Sequence, residues 1–202
     1  MMKWSVARSP AGLSVNSEHN LLVVSGADRK LQIFTTHGTL LQNIQLQADI
    51  ESPSHAVQLP TGQFLVSNSI IFGQHRVCLV GVDGAVVRSY GRRWGSHLTQ
   101  LTGPRGLAVD REGRVLVADQ WHNRLLVIDQ SLSSAHEMSV GLCVDGGLKG
   151  PFSLWYDQSR RRLYVGEWDS QDRGRVIAIG NLKDPTELLV RKCKANSNCC
   201  TM

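Results

Sequence analysis

The sequence lacks the features that mark membrane proteins and disulfide-rich secreted proteins. Its 202 residues contain no run of about eighteen apolar residues, which a transmembrane helix requires. The amino-terminal segment, residues 1–8, has no apolar core of the kind found in signal peptides. Five cysteines form an odd set, and Cys193, Cys199 and Cys200 lie in a polar tail rather than in a disulfide framework. We therefore expect a cytoplasmic protein.

Local signatures of enzymes are also missing. The chain contains no nucleophile elbow, no phosphate-binding glycine loop, no dinucleotide fingerprint and no His-Glu-x-x-His zinc motif. Its seven histidines are dispersed along the chain instead of clustered. These absences predict a protein without catalytic residues, cofactor or metal.

Strong charge bias and low-complexity segments are absent as well. The net charge is +5, and no charge run or Gly/Ser linker interrupts the chain. Such a charge suits a soluble protein, and it also suits attraction to an acidic partner such as RNA. We expect one domain over residues 1–190 and a disordered polar tail over residues 191–202, for which metal binding or intermolecular disulfides are the alternatives.

What the sequence does contain is a repeated unit of short apolar strands. Residues 10–34 align without a gap on residues 104–128, and two further copies follow the same pattern with longer turns. The copies begin at Pro10, Pro53, Pro104 and Pro151, at spacings of roughly 40 to 50 residues. This period with several short strands per unit predicts an all-β propeller of four blades, each a four-stranded antiparallel sheet.

The third copy resembles the NHL repeat. It reads Pro-x-Gly-Leu-Ala-Val-Asp, then Gly-x-Val-Leu-Val-Ala-Asp, then His-Asn-Arg-Leu-Leu-Val-Ile, and its polar core is Asp119, Asn123 and Arg124. The resemblance covers about residues 8–190 and implies a β-propeller. Propellers of this family usually have six blades, so the chain is either a fragment of a longer protein or an unusually small ring. Residues 3–6 are then the end of a preceding blade or an outer strand that closes the ring.

The resemblance also implies a class of function. It extends to the NHL regions of tripartite-motif and RING-type ubiquitin ligases, which implies a non-catalytic arm that recruits a protein or an RNA. No RING, B-box or coiled coil is found in this sequence, so ligase activity would belong to a longer parent protein or a partner. The rival from another class is a metal-dependent lactonase-, gluconolactonase- or amidating-lyase-like propeller enzyme with its metal in a central channel.

A polar or acidic residue precedes, and a basic residue follows, the turn between the second and third strands of the blades. We expect scaffolding roles for them, with Asp119 and Arg124 meeting as a charge pair across one tight turn. The expected structural set is Lys30, Arg76, Asp119, Asn123, Arg124, Glu167 and Arg175.

The same turns, together with the crossings between blades, share one face of a propeller. Three tryptophans fall there among basic residues, the chemistry of a surface that stacks bases and contacts phosphates. The expected binding residues are Arg92, Arg93, Trp94, His97, Trp121, His122, Trp168 and Arg173, with Arg29, His75 and Lys149 on the same face. For single-stranded RNA we expect Arg92 and Arg93 on phosphates; for a protein partner we expect a tryptophan anchor. The turn at residues 160–162 lies on the opposite face, as a solvated hairpin.

Overall fold

The fold is an all-β propeller, as the repeats predict. The structure, a computed structural model, describes residues 3–71, 73–93, 100–138, 147–168 and 174–180. Within these ranges the chain forms four antiparallel sheets, three of four strands and one of three, in which neighbouring strands follow chain order. A single turn of 3-10 helix, Gln120–His122, is the only helical element in the described part of the chain. The described residues divide into two compact units, with the boundary after Leu107.

The first unit holds blades one and two, each a meander of four strands. Blade one consists of β1 (Pro10–Val15), β2 (Leu21–Ser25), β3 (Lys30–Phe34) and β4 (Leu40–Gln45). Blade two consists of β5 (Pro53–Gln58), β6 (Phe64–Ser69), β7 (Gln74–Val80) and β8 (Val86–Arg93). Alternate side chains of the two blades, including Leu22, Val24, Phe64 and Val66, meet in one buried cluster. Burial of these apolar surfaces is what holds the two sheets together.

The second unit holds most of blade three and blade four. Blade three consists of β9 (Pro104–Val109), β10 (Val115–Asp119), β11 (Arg124–Ile128) and β12 (Ala135–Met138), and the unit boundary falls within β9. Blade four has three described strands, β13 (Pro151–Asp157), β14 (Arg162–Glu167) and β15 (Arg175–Ile179). Leu116 and Val127 of blade three pack on Leu154, Leu163 and Val165 of blade four.

The expected blade starts are found, since β1, β5, β9 and β13 begin at the four prolines. Of the two alternatives for residues 3–6, the outer strand is not found, since these residues have no regular secondary structure. Trp4 from this segment instead lies with its ring centroid 6.4 Å from that of Phe34, and Ala7 N donates to the Gln32 side chain at 2.6 Å. The fourth strand expected for blade four and the polar tail over residues 191–202 lie outside the described residues.

Candidate binding surface

The turn that carries Trp121 and His122 is fixed by hydrogen bonds to a buried carboxylate. Strand β10 ends at Asp119, which has no exposed surface, and β11 begins at Arg124 after Asn123 takes a left-handed conformation at φ 54°. His122 Nδ1 and Arg124 Nε both lie 2.8 Å from Asp119 Oδ2 and donate to it. The expected pair between Asp119 and Arg124 is therefore present. It fixes a turn of which Trp121 is the outward residue, 41% exposed.

Blade four has the same arrangement of a buried carboxylate and an arginine. Here the pair also binds the segment that leads from blade three into blade four. Glu167 ends β14 with its carboxylate buried, and Arg175 Nε donates to its Oε2. The other carboxylate oxygen accepts the backbone N–H of Lys149 at 2.6 Å, and Arg175 Nη2 donates to the carbonyl of Gly147 at 2.7 Å. One acidic and one basic side chain thus hold residues 147–149 in place.

A chain of hydrogen bonds joins the turns of blades three and four. Asn123 Oδ1 accepts the N–H of Gly150 at 2.7 Å, and the carbonyl of Gly150 accepts the N–H of Trp168 at 3.0 Å. Leu148 anchors the same crossing in the hydrophobic core. Trp121 and Trp168 therefore flank one fixed crossing, on which the Lys149 side chain is exposed.

We call Trp121, His122, Lys149 and Trp168 the tryptophan surface. Trp168 is the more exposed indole, at 57%. The carboxylates of Asp119 and Glu167 beneath it are buried and each is paired with an arginine. Neither of these two carboxylates is therefore placed to repel an anionic ligand. The groups exposed to solvent are the indoles of Trp121 and Trp168 and the ammonium group of Lys149. A cavity of about 560 Å³ adjoins Trp168 and is lined by Phe152, Ser153, Gly166, Glu167, Gly174, Arg175 and Val176.

The first unit uses related contacts at the corresponding turns. Asn68 Oδ1 accepts the N–H of Ser52 at 2.9 Å. Arg76 Nη2 donates to the backbone carbonyl of Asp49 at 2.9 Å and pairs with its carboxylate at 2.6 Å. In blade one, Arg29 donates to the carbonyl of Ala48 at 3.0 Å. Arg29 of blade one and Arg76 of blade two thus both hold the crossing between β4 and β5, one from each of the two sheets.

Lys30 contributes to this arrangement through charge. The N–H and guanidinium of Arg8 bind the Asp28 carboxylate and lower its pKa, and the Lys30 ammonium lowers it further. Lys30 itself opens β3, opposite Gln45 in β4. The residues expected to be structural thus lie in or beside the second-to-third strand hairpins of all four blades.

The predicted binding residues are placed in separate parts of the chain. Trp121, His122 and Trp168 lie in the second unit, in two turns that both form hydrogen bonds to Gly150. Arg92 and Arg93 end β8 in the first unit, opposite His75 and Gln74 of β7. The side chains of those two arginines, and the whole of Trp94, His97 and Arg173, lie outside the described residues.

The placement of His75 on a binding face is wrong. Strand β7 begins before this residue, at Gln74, so His75 lies in the sheet with no exposed surface. Its Nδ1 accepts the N–H of Gly103 at 3.1 Å and lies 3.1 Å from Ser69 Oγ. A polar residue at the end of a long hairpin is easily assigned to the turn, but here the ladder continues through it.

Lys149 was expected on the same face but was not among the expected binding residues. The signal available was Lys-Gly-Pro at the start of a blade, where Gly150 has φ +53° and its N–H and C=O both bind neighbouring turns. The described residues contain no group of three or more His, Cys, Asp or Glu that could hold a metal ion. No helix among them is long and apolar enough to cross a membrane.

Comparison with known proteins agrees with the repeat pattern. The family model described as NHL repeat matches residues 101–128. Protein brain tumor of Drosophila melanogaster is 25% identical over 133 residues, which are 63% of this chain and 12% of that protein. The chain thus spans a small part of that relative.

Solved structures show the same fold at low sequence identity. A protein of unknown function from Bacteroides thetaiotaomicron aligns with TM-score 0.60 and 15% identity, over 82% of this chain and 46% of that one. Virginiamycin B lyase from Staphylococcus aureus aligns with TM-score 0.54 and 11% identity, over 85% and 56%. A protein provisionally assigned as a gluconolactonase aligns with TM-score 0.57 and 17% identity, over 83% and 58%. These likenesses show the fold alone, and this chain carries an NHL repeat at residues 101–128 within a β-propeller.

Proposed function

We propose that this propeller is a non-catalytic recognition module that binds a macromolecular partner through the tryptophan surface. The observation that carries the proposal is the pair of exposed indoles, Trp121 and Trp168, on either side of the fixed crossing at Lys149 and Gly150. Exposed aromatic residues on a rigid frame bind with little loss of conformational entropy. The buried Asp119 and Glu167 provide that frame.

Single-stranded RNA is the partner that this chemistry suits best. Bases stack on aromatic rings, and each stacked base contributes about 1–3 kcal/mol. The Lys149 ammonium supplies a phosphate contact between the two rings, and the net charge of +5 favours approach of an anion. Arg92 and Arg93 of the first unit are a separate proposal for phosphate contacts.

A protein partner is the second candidate, and the amount of exposed indole supports it. Tryptophan is among the residues that most often anchor protein interfaces, and its truncation there costs about 2 kcal/mol or more. The cavity of about 560 Å³ beside Trp168 would accept an apolar side chain of the partner. The resemblance to the NHL regions of ubiquitin ligases makes a substrate-recruiting arm the form that such binding would take, in the cytoplasm and with a RING-containing region in a longer parent protein or a partner.

A propeller enzyme is the alternative from another class, and it is motivated by the lyase and the gluconolactonase that share the fold. A direct assay separates the two. Purified protein that retains stoichiometric calcium or zinc after dialysis, and that hydrolyses a lactone or an ester until a chelator is added, would replace the binding proposal. We expect neither property.

The binding proposal is tested with a random-sequence RNA oligonucleotide of about twelve nucleotides, within the usual range of single-strand sites. Trp121→Ala with Trp168→Ala should lower affinity at least tenfold at every salt concentration, because stacking is lost. Lys149→Ala should flatten the salt dependence by about one phosphate contact, and Arg92→Ala with Arg93→Ala by about two. Arg160→Ala is the matched control, since its side chain is 70% exposed on a first-to-second strand turn.

The outcomes separate the two partners. If the wild-type chain does not bind RNA, but the tryptophan variant loses a protein that the wild type captures from a cell extract, the partner is a protein. Full binding by the folded tryptophan variant to either kind of partner would reject this surface.

A further inference from the structure

The sheet of blade four has two faces, and its environment differs between them. Leu154, Tyr156, Leu163, Val165 and Ile179 are buried against blade three. The alternate side chains point away from blade three and are exposed, with Trp155 at 60% and Val176 at 73%. The rings of Trp155 and Tyr164 lie 5.2 Å apart on this exposed face. A contiguous apolar patch of this kind usually marks a contact surface.

The repeat indicates what covers such a face. In the alignment of the copies, Trp155 and Tyr164 of blade four correspond to Ala108 and Leu116 of blade three. Ala108 and Leu116 are buried, and they pack against the Leu154 and Tyr156 side of the next blade. By analogy, the exposed face of blade four should pack against the face of another blade, the one whose residues are equivalent to Leu154 and Tyr156.

Blade one presents that surface. Aligning Pro10 on Pro151 places Leu13 and Val15 at the positions of Leu154 and Tyr156. These two side chains are 62% and 58% exposed on the sheet face that does not contact blade two. The face that is buried in blade four is thus open in blade one.

The two faces also complement each other in size. Trp155 and Tyr164 are larger than the alanine and leucine that blade three has at these positions, so their counterpart needs more room. Beside Leu13 lies an open cavity of about 720 Å³, lined also by Lys3, Trp4, Val6, Pro10, Ala11, Gly12, Leu21 and Val23. This cavity gives the indole of Trp155 a place to enter.

We propose that two copies of this chain associate head to tail, with the Trp155 face of blade four in one copy on the Leu13 face of blade one in the other. This contact would repeat, between two molecules, the packing of blade on blade that is seen inside each unit. It is heterologous, because each copy contributes a different face. Each copy therefore has one face of each kind to offer.

Sedimentation velocity of the purified chain tests this proposal with two complementary variants. Leu13→Glu with Val15→Glu removes the blade-one face, and Trp155→Glu with Val176→Glu removes the blade-four face. We expect the wild type to associate with rising concentration and each variant alone to stay monomeric. An equimolar mixture of the two variants should form a dimer, because it contains one intact face of each kind.

Val87→Glu is the matched control, since Val87 is an exposed valine, at 59%, on strand β8 of blade two. It should associate as the wild type does. If circular dichroism shows that a glutamate variant is unfolded, Leu13→Ser and Trp155→Ser take its place. A monomeric wild type, a mixture that stays monomeric, or association of either variant alone would overturn the proposal.

Discussion

At the scale of single residues, His55 shows how burial and hydrogen bonding set the charge of an imidazole in the first unit. It lies in β5, and its Nδ1 accepts the N–H of Leu107 at 3.2 Å. Burial lowers the pKa of His55 below its ordinary value of 6.5, and a hydrogen bond to the backbone of Leu13 offsets only part of this effect. The imidazole is therefore neutral in the folded protein at neutral pH, as its role as an acceptor requires.

This environment predicts an acid-sensitive contribution to stability. When the pH falls below about 6.5, the unfolded chain binds a proton at His55 before the folded chain does, so stability is lost as the pH decreases. We expect a lower melting temperature at about pH 5.5 than at about pH 7.5, and a smaller difference for His55→Gln. Thermal melts of both proteins at the two pH values measure it. An identical pH dependence in the two proteins would contradict the assignment.

Val117 tests the burial of the central strand of blade three. It lies in β10 with no exposed surface. Val117→Asp places an unpaired carboxylate in an apolar interior and should lower the free energy of unfolding by roughly 3 kcal/mol or more. Val87→Asp, at an exposed strand position, should change it by less than about 0.5 kcal/mol. Equal urea midpoints for the two variants would show that β10 is assigned wrongly.

At the scale of elements, the hairpin at Asp83 and Gly84 shows how one residue type fixes a turn. Gly84 has φ +84°, and a Cβ there would overlap the backbone carbonyl of Gln45 in the neighbouring blade. Asp83 Oδ1 accepts the N–H of Ala85 at 3.1 Å and completes the turn. Backbone conformation and close approach thus both require glycine.

Gly62 has the positive φ of Gly84 without the close approach of a neighbouring backbone, so the two effects can be compared. Its φ of +83° is nearly the same, but the nearest atom to an added Cβ is a Val82 methyl carbon at 3.9 Å. Gly62→Ala should therefore cost only the left-handed conformation, about 1 kcal/mol. Gly84→Ala adds an overlap, typically worth about 1–3 kcal/mol, and should be clearly more destabilising in denaturant unfolding. Equal losses in the two variants would mean that the turn of blade two does not touch β4.

The elements were predictable where their signals are local. The four prolines and the apolar runs gave the blade starts, because strand length and turn chemistry are written in a few adjacent residues. The pair of Asp119 and Arg124 followed from its tight turn. The extension of β7 through His75 did not follow, because ladder length depends on the partner strand β8. The outer strand at residues 3–6 is not found either; Trp4 of this segment packs on Phe34.

The candidate surface was predictable only in part. Repeat geometry placed Trp121 and Trp168 in equivalent turns. The contacts that hold them around one crossing, from Asn123 to Gly150 and from Gly150 to Trp168, join residues that are far apart in the chain. Such contacts depend on how two blades pack, and no short-range pattern encodes them.

At the scale of the whole molecule, one set of residues fixes the turns and another set of residues, carried by the turns, faces the solvent. Ion pairs formed by buried carboxylates at the strand ends hold the turns, and the side chains carried by those turns are available to a partner. We therefore ascribe binding to the exposed indoles of the second unit. Of the other exposed tryptophans, Trp4 packs on Phe34, and Trp155 lies on the open sheet face of blade four.

The indole N–H signals of the five tryptophans test this assignment most directly. They are followed by nuclear magnetic resonance during titration with the RNA oligonucleotide, at a protein concentration where the chain is monomeric, after assignment by single Trp→Phe variants. We expect the signals of Trp121 and Trp168 to shift together with one dissociation constant, while those of Trp4 and Trp155 stay in place. If the RNA binds and shifts only Trp4 and Trp155, the tryptophan surface is not the binding site.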